Sequence, residues 1–121
     1  MSDLRRVVVS DHHGGGVVEG EYLARWERMA LEVMDVVEKR GLVRCSLPRG
    51  VEVSLLGDEA MARVHLDFMN VPGPTDVITF PYGEIGEILV GVETARRQGP
   101  DFGRSALEEI SLYIIHGILH L

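Results

Sequence analysis

His116 and His120 are the one pair of side chains in this 121-residue sequence with metal-ligand spacing. If the run His116-Gly117-Ile118-Leu119-His120-Leu121 is helical, the two imidazoles leave one face a turn apart, about 6 Å between their Cβ atoms, and can converge on one ion. Imidazole suits zinc, and also nickel, copper and iron. The same spacing fits two core histidines satisfied by backbone carbonyls, so the pair alone does not make a site. A zincin protease is disfavoured, because that pattern needs a Glu directly after the first histidine and this chain has Gly117.

The elements that must position the pair are legible around it. Ser105 with Glu108 three residues on is a capping box, which satisfies two orphan N–H donors and starts a helix near Ser105. Leu107, Ile110, Ile114, Ile118 and Leu121 form an apolar stripe, with Leu112, Ile115 and Leu119 around much of the remaining circumference, so the helix belongs in the interior. Gly117 inside it costs about 1 kcal/mol relative to Ala, which points to something packed close to the backbone there.

Upstream, Arg5–Ser10 reads as a strand whose Val7-Val8-Val9 run suits burial on both faces. Asp11-His12-His13-Gly14-Gly15-Gly16 follows as a flexible loop, with both histidines expected in solvent. Glu21–Arg40 is an amphipathic helix carrying Leu23, Trp26, Ala30, Val33 and Val37 on one stripe, closed by Gly41. Val51, Val53 and Leu55 alternate as a half-buried strand. A second helix begins at Asp58 as N-cap, with Met61, Val64, His65 and Phe68 on one face; His65 is a possible extra ligand but is more simply a packed or surface histidine. Asn70–Pro74 is a turn-rich break, and Asp76–Pro81 is a strand that Pro81 stops. Gly83–Gly86 turns the chain back into Glu87–Val90, and Glu93–Gln98 forms a short helix.

Strands alternating with helices around one hairpin predict a single α+β domain over residues 1–121: a small mixed β-sheet of about four strands, packed by helices, with the candidate metal helix at the C-terminus.

Three segments carry a family resemblance. Thr75-Asp76-Val77-Ile78-Thr79-Phe80-Pro81, then Gly86-Glu87-Ile88-Leu89-Val90, then His116-Gly117-Ile118-Leu119-His120-Leu121 resemble, in order and spacing, the successive signatures of the YbeY family of bacterial endoribonucleases. The likeness runs from about Val51 to the end. It implies an α+β fold and metal-dependent cleavage of single-stranded RNA in ribosomal RNA maturation. The partners it implies are ribosomal RNA and the ribosome or its proteins. It also implies one zinc ion with His116 and His120 as ligands. Asp76 and Glu87 stand at the family's acidic positions, where they would orient a ligand histidine or a water molecule, or else serve only to cap a strand or its turn, the simpler reading for Glu87. Arg96 and Arg97 could face phosphates, or simply be a solvated helix end.

Two departures matter. The family's segment continues His-Gly-x-Leu-His-Leu-x-Gly-Tyr-Asp-His, and its third zinc-binding histidine lies beyond Leu121; the domain is therefore expected to lack the C-terminal part that completes the metal site. The family often has an arginine six residues before its Thr-Asp pair, where this chain has Met69. The alternative function is a non-catalytic ribosome- or RNA-associated binding module with an incomplete metal site.

Composition bounds these readings. A 45% hydrophobic, 26% charged chain is ordinary for a globular domain, and no apolar run reaches the roughly 18 residues of a membrane helix, which favours the cytoplasm and no membrane partner. The net charge of -7 argues against a broad basic footprint for nucleic acid and suits protein partners, so RNA must be met locally. The single Cys45 cannot close an intramolecular disulfide. There is no P-loop, dinucleotide fingerprint or zinc ribbon, and Gly14–Gly16 lacks the Lys-Ser/Thr ending of a phosphate loop.

Overall fold

The computed structural model describes residues 5–13, 18–42 and 47–121. Cys45 and the triple glycine lie outside them. The elements run β1 (Arg6–Asp11), α1 (Gly20–Lys39), β2 (Gly50–Leu56), α2 (Asp58–Met69), β3 (Val77–Tyr82), β4 (Ile85–Gly91), α3 (Val92–Gln98), a 3-10 turn (Pro100–Phe102) and α4 (Ala106–His120). The strands form one mixed sheet in the order β1-β2-β4-β3, with β1, β2 and β4 parallel and β3 antiparallel to β4.

Alternation along the strands sends side chains to two layers. Val7, Val9, Val51, Val53, Leu55, Ile88 and Val90 face one way and build the main core with Trp26, Ala30, Met34 and Val37 of α1 and Ile110, Ile114 and Ile118 of α4. Ile78 and Leu89 face the other way, where they meet Met61 of α2. The fold class is the α+β mixed sheet of about four strands read from the sequence, with α4 as its last element.

Several local expectations change. β1 is an edge strand, and only Val7 and Val9 of its valine run are buried; Val8 is 44% exposed because no helix covers it. Pro81 does not stop β3. The Asp76 carbonyl accepts from Gly91 N–H, so bonded pairs recur at every second residue and Pro81 falls where the backbone nitrogen points away from β4. A missing donor at that edge costs no ladder bond. The N-cap of α2 is Gly57, not Asp58, whose carboxylate instead takes Arg97. His12 is exposed as expected, but the His13 side chain is 6% exposed and its Nε2 pairs with Glu93 of α3, while Nδ1 finds no partner among the described residues.

The capping box forms as read: Glu108 N–H donates to the Ser105 hydroxyl at 3.1 Å, and Ser105 N–H donates to Glu108 Oε1 at 2.8 Å. It fixes where α4 starts, and hence where its last turn delivers the histidines. Among the described residues, no helix is long and apolar enough to cross a membrane.

Candidate metal centre

α4 carries His116 and His120 on an exposed strip beside its buried stripe. The strip exists because Gly117 and Ile118 pack inward, on β4, and turn the flanking histidines outward. The two Nε2 atoms lie 2.9 Å apart, with ring centroids at 4.7 Å and planes inclined by 26°. The rings are within hydrogen-bond distance of each other, with the donor and acceptor roles set by their tautomers.

The donor set can be tested against zinc. On a tetrahedral ion with Zn–N bonds of about 2.0–2.1 Å, two nitrogens stand about 3.3 Å apart. The pair therefore fits two corners after a few tenths of an ångström of ring movement. Among the described residues, no third His, Cys, Asp or Glu completes a group of three.

The histidines line two adjoining clefts. The larger, about 560 Å³, runs along α4 past Leu112, Tyr113 and Glu109 to Arg104 and Phe102. The smaller, about 240 Å³, lies between α4 and β3 and includes Met69 and Thr79. Asp76 lines both. Its carboxylate is anchored by Val77 N–H at 2.7 Å and by the Thr75 hydroxyl at 3.3 Å, directly before β3.

The structure brings Asp76 to the histidines but not the other candidates. Glu87 is the register partner of Glu52 and Phe80 and alternates with Ile88, which faces α4, so its side chain leaves the opposite side of the sheet. Arg96 donates to Glu93 at 3.1 Å, and Arg97 holds both oxygens of Asp58 at 2.7 and 3.1 Å; neither lines the histidine clefts. The carboxylates of α2 and α3 take up both guanidinium groups. His65 does not join the pair: its Nδ1–H donates to the Gly73 carbonyl at 2.8 Å and clasps the turn after α2.

Four polar residues of the larger cleft are held in two pairs. Glu109 is 4% exposed and accepts from Arg104 Nε at 2.7 Å. Tyr113, also buried, donates its hydroxyl to Gln98 Oε1 at 2.8 Å. Burial first, then the negative charges of Glu109 and Asp76, hold the Tyr113 phenol well above its ordinary range. For Glu109 and Tyr113 the signal was present: they sit seven and three residues before His116, on its face of the helix, and a Glu within a largely apolar helix asks for a partner.

Comparison with known proteins decides the family. A model of the family described as Endoribonuclease YbeY matches residues 19–121. The chain belongs to the YbeY family. A YbeY endoribonuclease of Thermobifida fusca is 34% identical over 111 residues, 80% of this chain and 68% of that protein. The one from Kineococcus radiotolerans is 33% identical over 122 residues, 89% and 64% of the two. That of Mycolicibacterium gilvum is 32% identical over 131 residues, 95% and 68%. The chain thus spans about two thirds of the length of these YbeY relatives. A solution structure of a Thermotoga maritima protein superposes with a TM-score of 0.60 at 26% identity, covering 95% of this chain and 71% of that one.

Proposed function

We propose that this protein is a metal-dependent endoribonuclease that cuts single-stranded ribosomal RNA during its maturation in the cytoplasm, with His116 and His120 as two ligands of one zinc ion. The observation that carries the reading is the convergence of the two Nε2 atoms, 2.9 Å apart, at the wall of an open cleft in a chain of an endoribonuclease family. When bound, zinc supplies Lewis acidity at a phosphoryl oxygen and lowers the pKa of coordinated water toward 7.

The chain's own residues position the substrate. Among the described residues both hydrogen bonds to Asp76 fall on Oδ1, which leaves Oδ2 at the junction of the clefts to orient a histidine ring or a water molecule. Leu112 and Leu119, 41% and 52% exposed, give the larger cleft an apolar wall that suits unstacked bases, which single strands present and duplexes hide. With a net charge of -7, affinity must come from local contacts, and the acidic surface suits docking to the basic proteins of a ribosome.

The absence of a third ligand among the described residues favours a second reading, an RNA- or ribosome-associated module without catalysis. Cleavage assays separate the two. Zinc-loaded protein expressed from its intact gene should cut a single-stranded ribosomal RNA fragment, spare the same sequence as a duplex, and lose activity with EDTA and in His120→Ala. Cutting that survives His120→Ala would remove the histidine pair from the mechanism, and RNA binding without cutting would establish the module.

A further inference from the structure

We propose that Phe102 and Arg104 form a nucleotide subsite at the end of the larger cleft away from the histidines, where Phe102 stacks a base and Arg104 holds a phosphate of the single-stranded RNA. The inference rests on the endoribonuclease reading and locates how its substrate is gripped.

The two residues are set by a tight turn between α3 and α4. The Gly99 carbonyl accepts from Phe102 N–H at 3.0 Å and from Arg104 N–H at 2.9 Å, while Gly103 between them, at φ 73°, reverses the chain. Gly99 is packed so tightly that a Cβ there would meet the Arg104, Ala95 and Ser105 carbonyl oxygens at 2.9–3.0 Å. The turn is therefore closed from within. It places the Arg104 guanidinium 5.2 Å from the centre of the Phe102 ring.

Arg104 lies over one face of the Phe102 ring, and both groups still present surface to solvent. Phe102 is 64% exposed and, among the described residues, joins neither core cluster. Arg104 spends only its Nε–H, on the buried Glu109; among the described residues its two terminal amino groups make no hydrogen bond. A guanidinium held at Nε by a buried carboxylate keeps the fork that matches a phosphate, already oriented. An aromatic face beside such a fork is the arrangement that grips single strands, with stacking for the base and a charge-assisted contact for the backbone.

The placement fits the cleft. Ten residues of helix separate Ala106, next to the turn, from His116, about 15 Å along the axis. The cleft joins the two ends past Glu109 and Tyr113. An RNA strand cut at the histidines would run along α4 and reach the turn with a nucleotide beyond the scissile phosphate.

The experiment compares kcat/KM of the zinc-loaded protein on a single-stranded RNA long enough to span the cleft and on a dinucleotide. Phe102→Ala removes an exposed ring and leaves the core untouched. It should lower kcat/KM on the long RNA roughly tenfold, in line with the loss of one base stack, and leave the dinucleotide unchanged. Phe102→Trp should restore it. Arg104→Gln should lower the magnitude of the log-affinity against log-salt slope for the long RNA by about 0.7, the share of one phosphate contact on a single strand. A structural role would move both substrates alike. Wild-type cleavage of the long RNA matched by Phe102→Ala would overturn the subsite and leave the nuclease reading standing; a wild-type protein that cuts neither RNA removes that reading and the subsite with it.

Discussion

Gly117 and Ile88 touch across the interface of α4 and β4 so closely that a Cβ on Gly117 would stand 2.8 Å from Ile88 Cγ2 and 3.1 Å from Cδ1. The contact sets the depth to which α4 sinks onto the sheet. His116 precedes that glycine and His120 follows it by three residues, so this depth also sets where their Nε2 atoms meet.

Two opposing effects decide what Gly117→Ala does. Alanine favours the helix by about 1 kcal/mol, whereas forcing a methyl into a packed interface costs about 1–3 kcal/mol. The Ile88 Cγ2 branch sits next to the backbone and cannot swing away as the end of a long side chain would, so the clash wins. Urea unfolding should show a net loss of about 1 kcal/mol or more. A variant as stable as the parent would mean that α4 lifts or Ile88 shifts freely.

Tyr113 makes stability depend on alkaline pH. Its phenol is raised in the folded protein above the ordinary value of 10.0, so folded and unfolded chains bind the proton equally below that pH. As pH rises past 10 the unfolded chain releases the proton first, and stability falls until the folded phenol also ionises. Tyr113→Phe loses the hydrogen bond to Gln98, about 1 kcal/mol near neutrality, and should remove this component of the alkaline fall. A wild type and variant that decline in parallel above pH 10 would show that another group is responsible.

What could be read from the sequence was local. The Ser105–Glu108 box, the α1 stripe with Gly41 after it, the hairpin and the tight contact at Gly117 all follow from residues a few positions apart. What could not be read depended on the order of strands. Val7-Val8-Val9 looks buried on both faces until β1 proves to be an edge, and Pro81 looks like a breaker until its nitrogen faces away from β4. The site divides in the same way. His116 and His120 are a helical turn apart and were legible as a pair. Asp76 shares their clefts only because β3 lies beside α4, Glu87 misses them by the alternation of β4, and Arg96 and Arg97 turn to carboxylates on α3 and α2. Arg104 is brought into the cleft by the fold around Glu109, which no spacing rule announces.

The most direct test of the central claim is the zinc content of protein expressed from its intact gene, by elemental analysis, in the wild type and in His116→Ala. Both His116 and His120 are exposed, so the substitution should leave the fold intact. The account predicts close to one zinc per wild-type chain and almost none in the variant. Zinc held at full stoichiometry by a folded His116→Ala protein, or no zinc in the wild type, would contradict it.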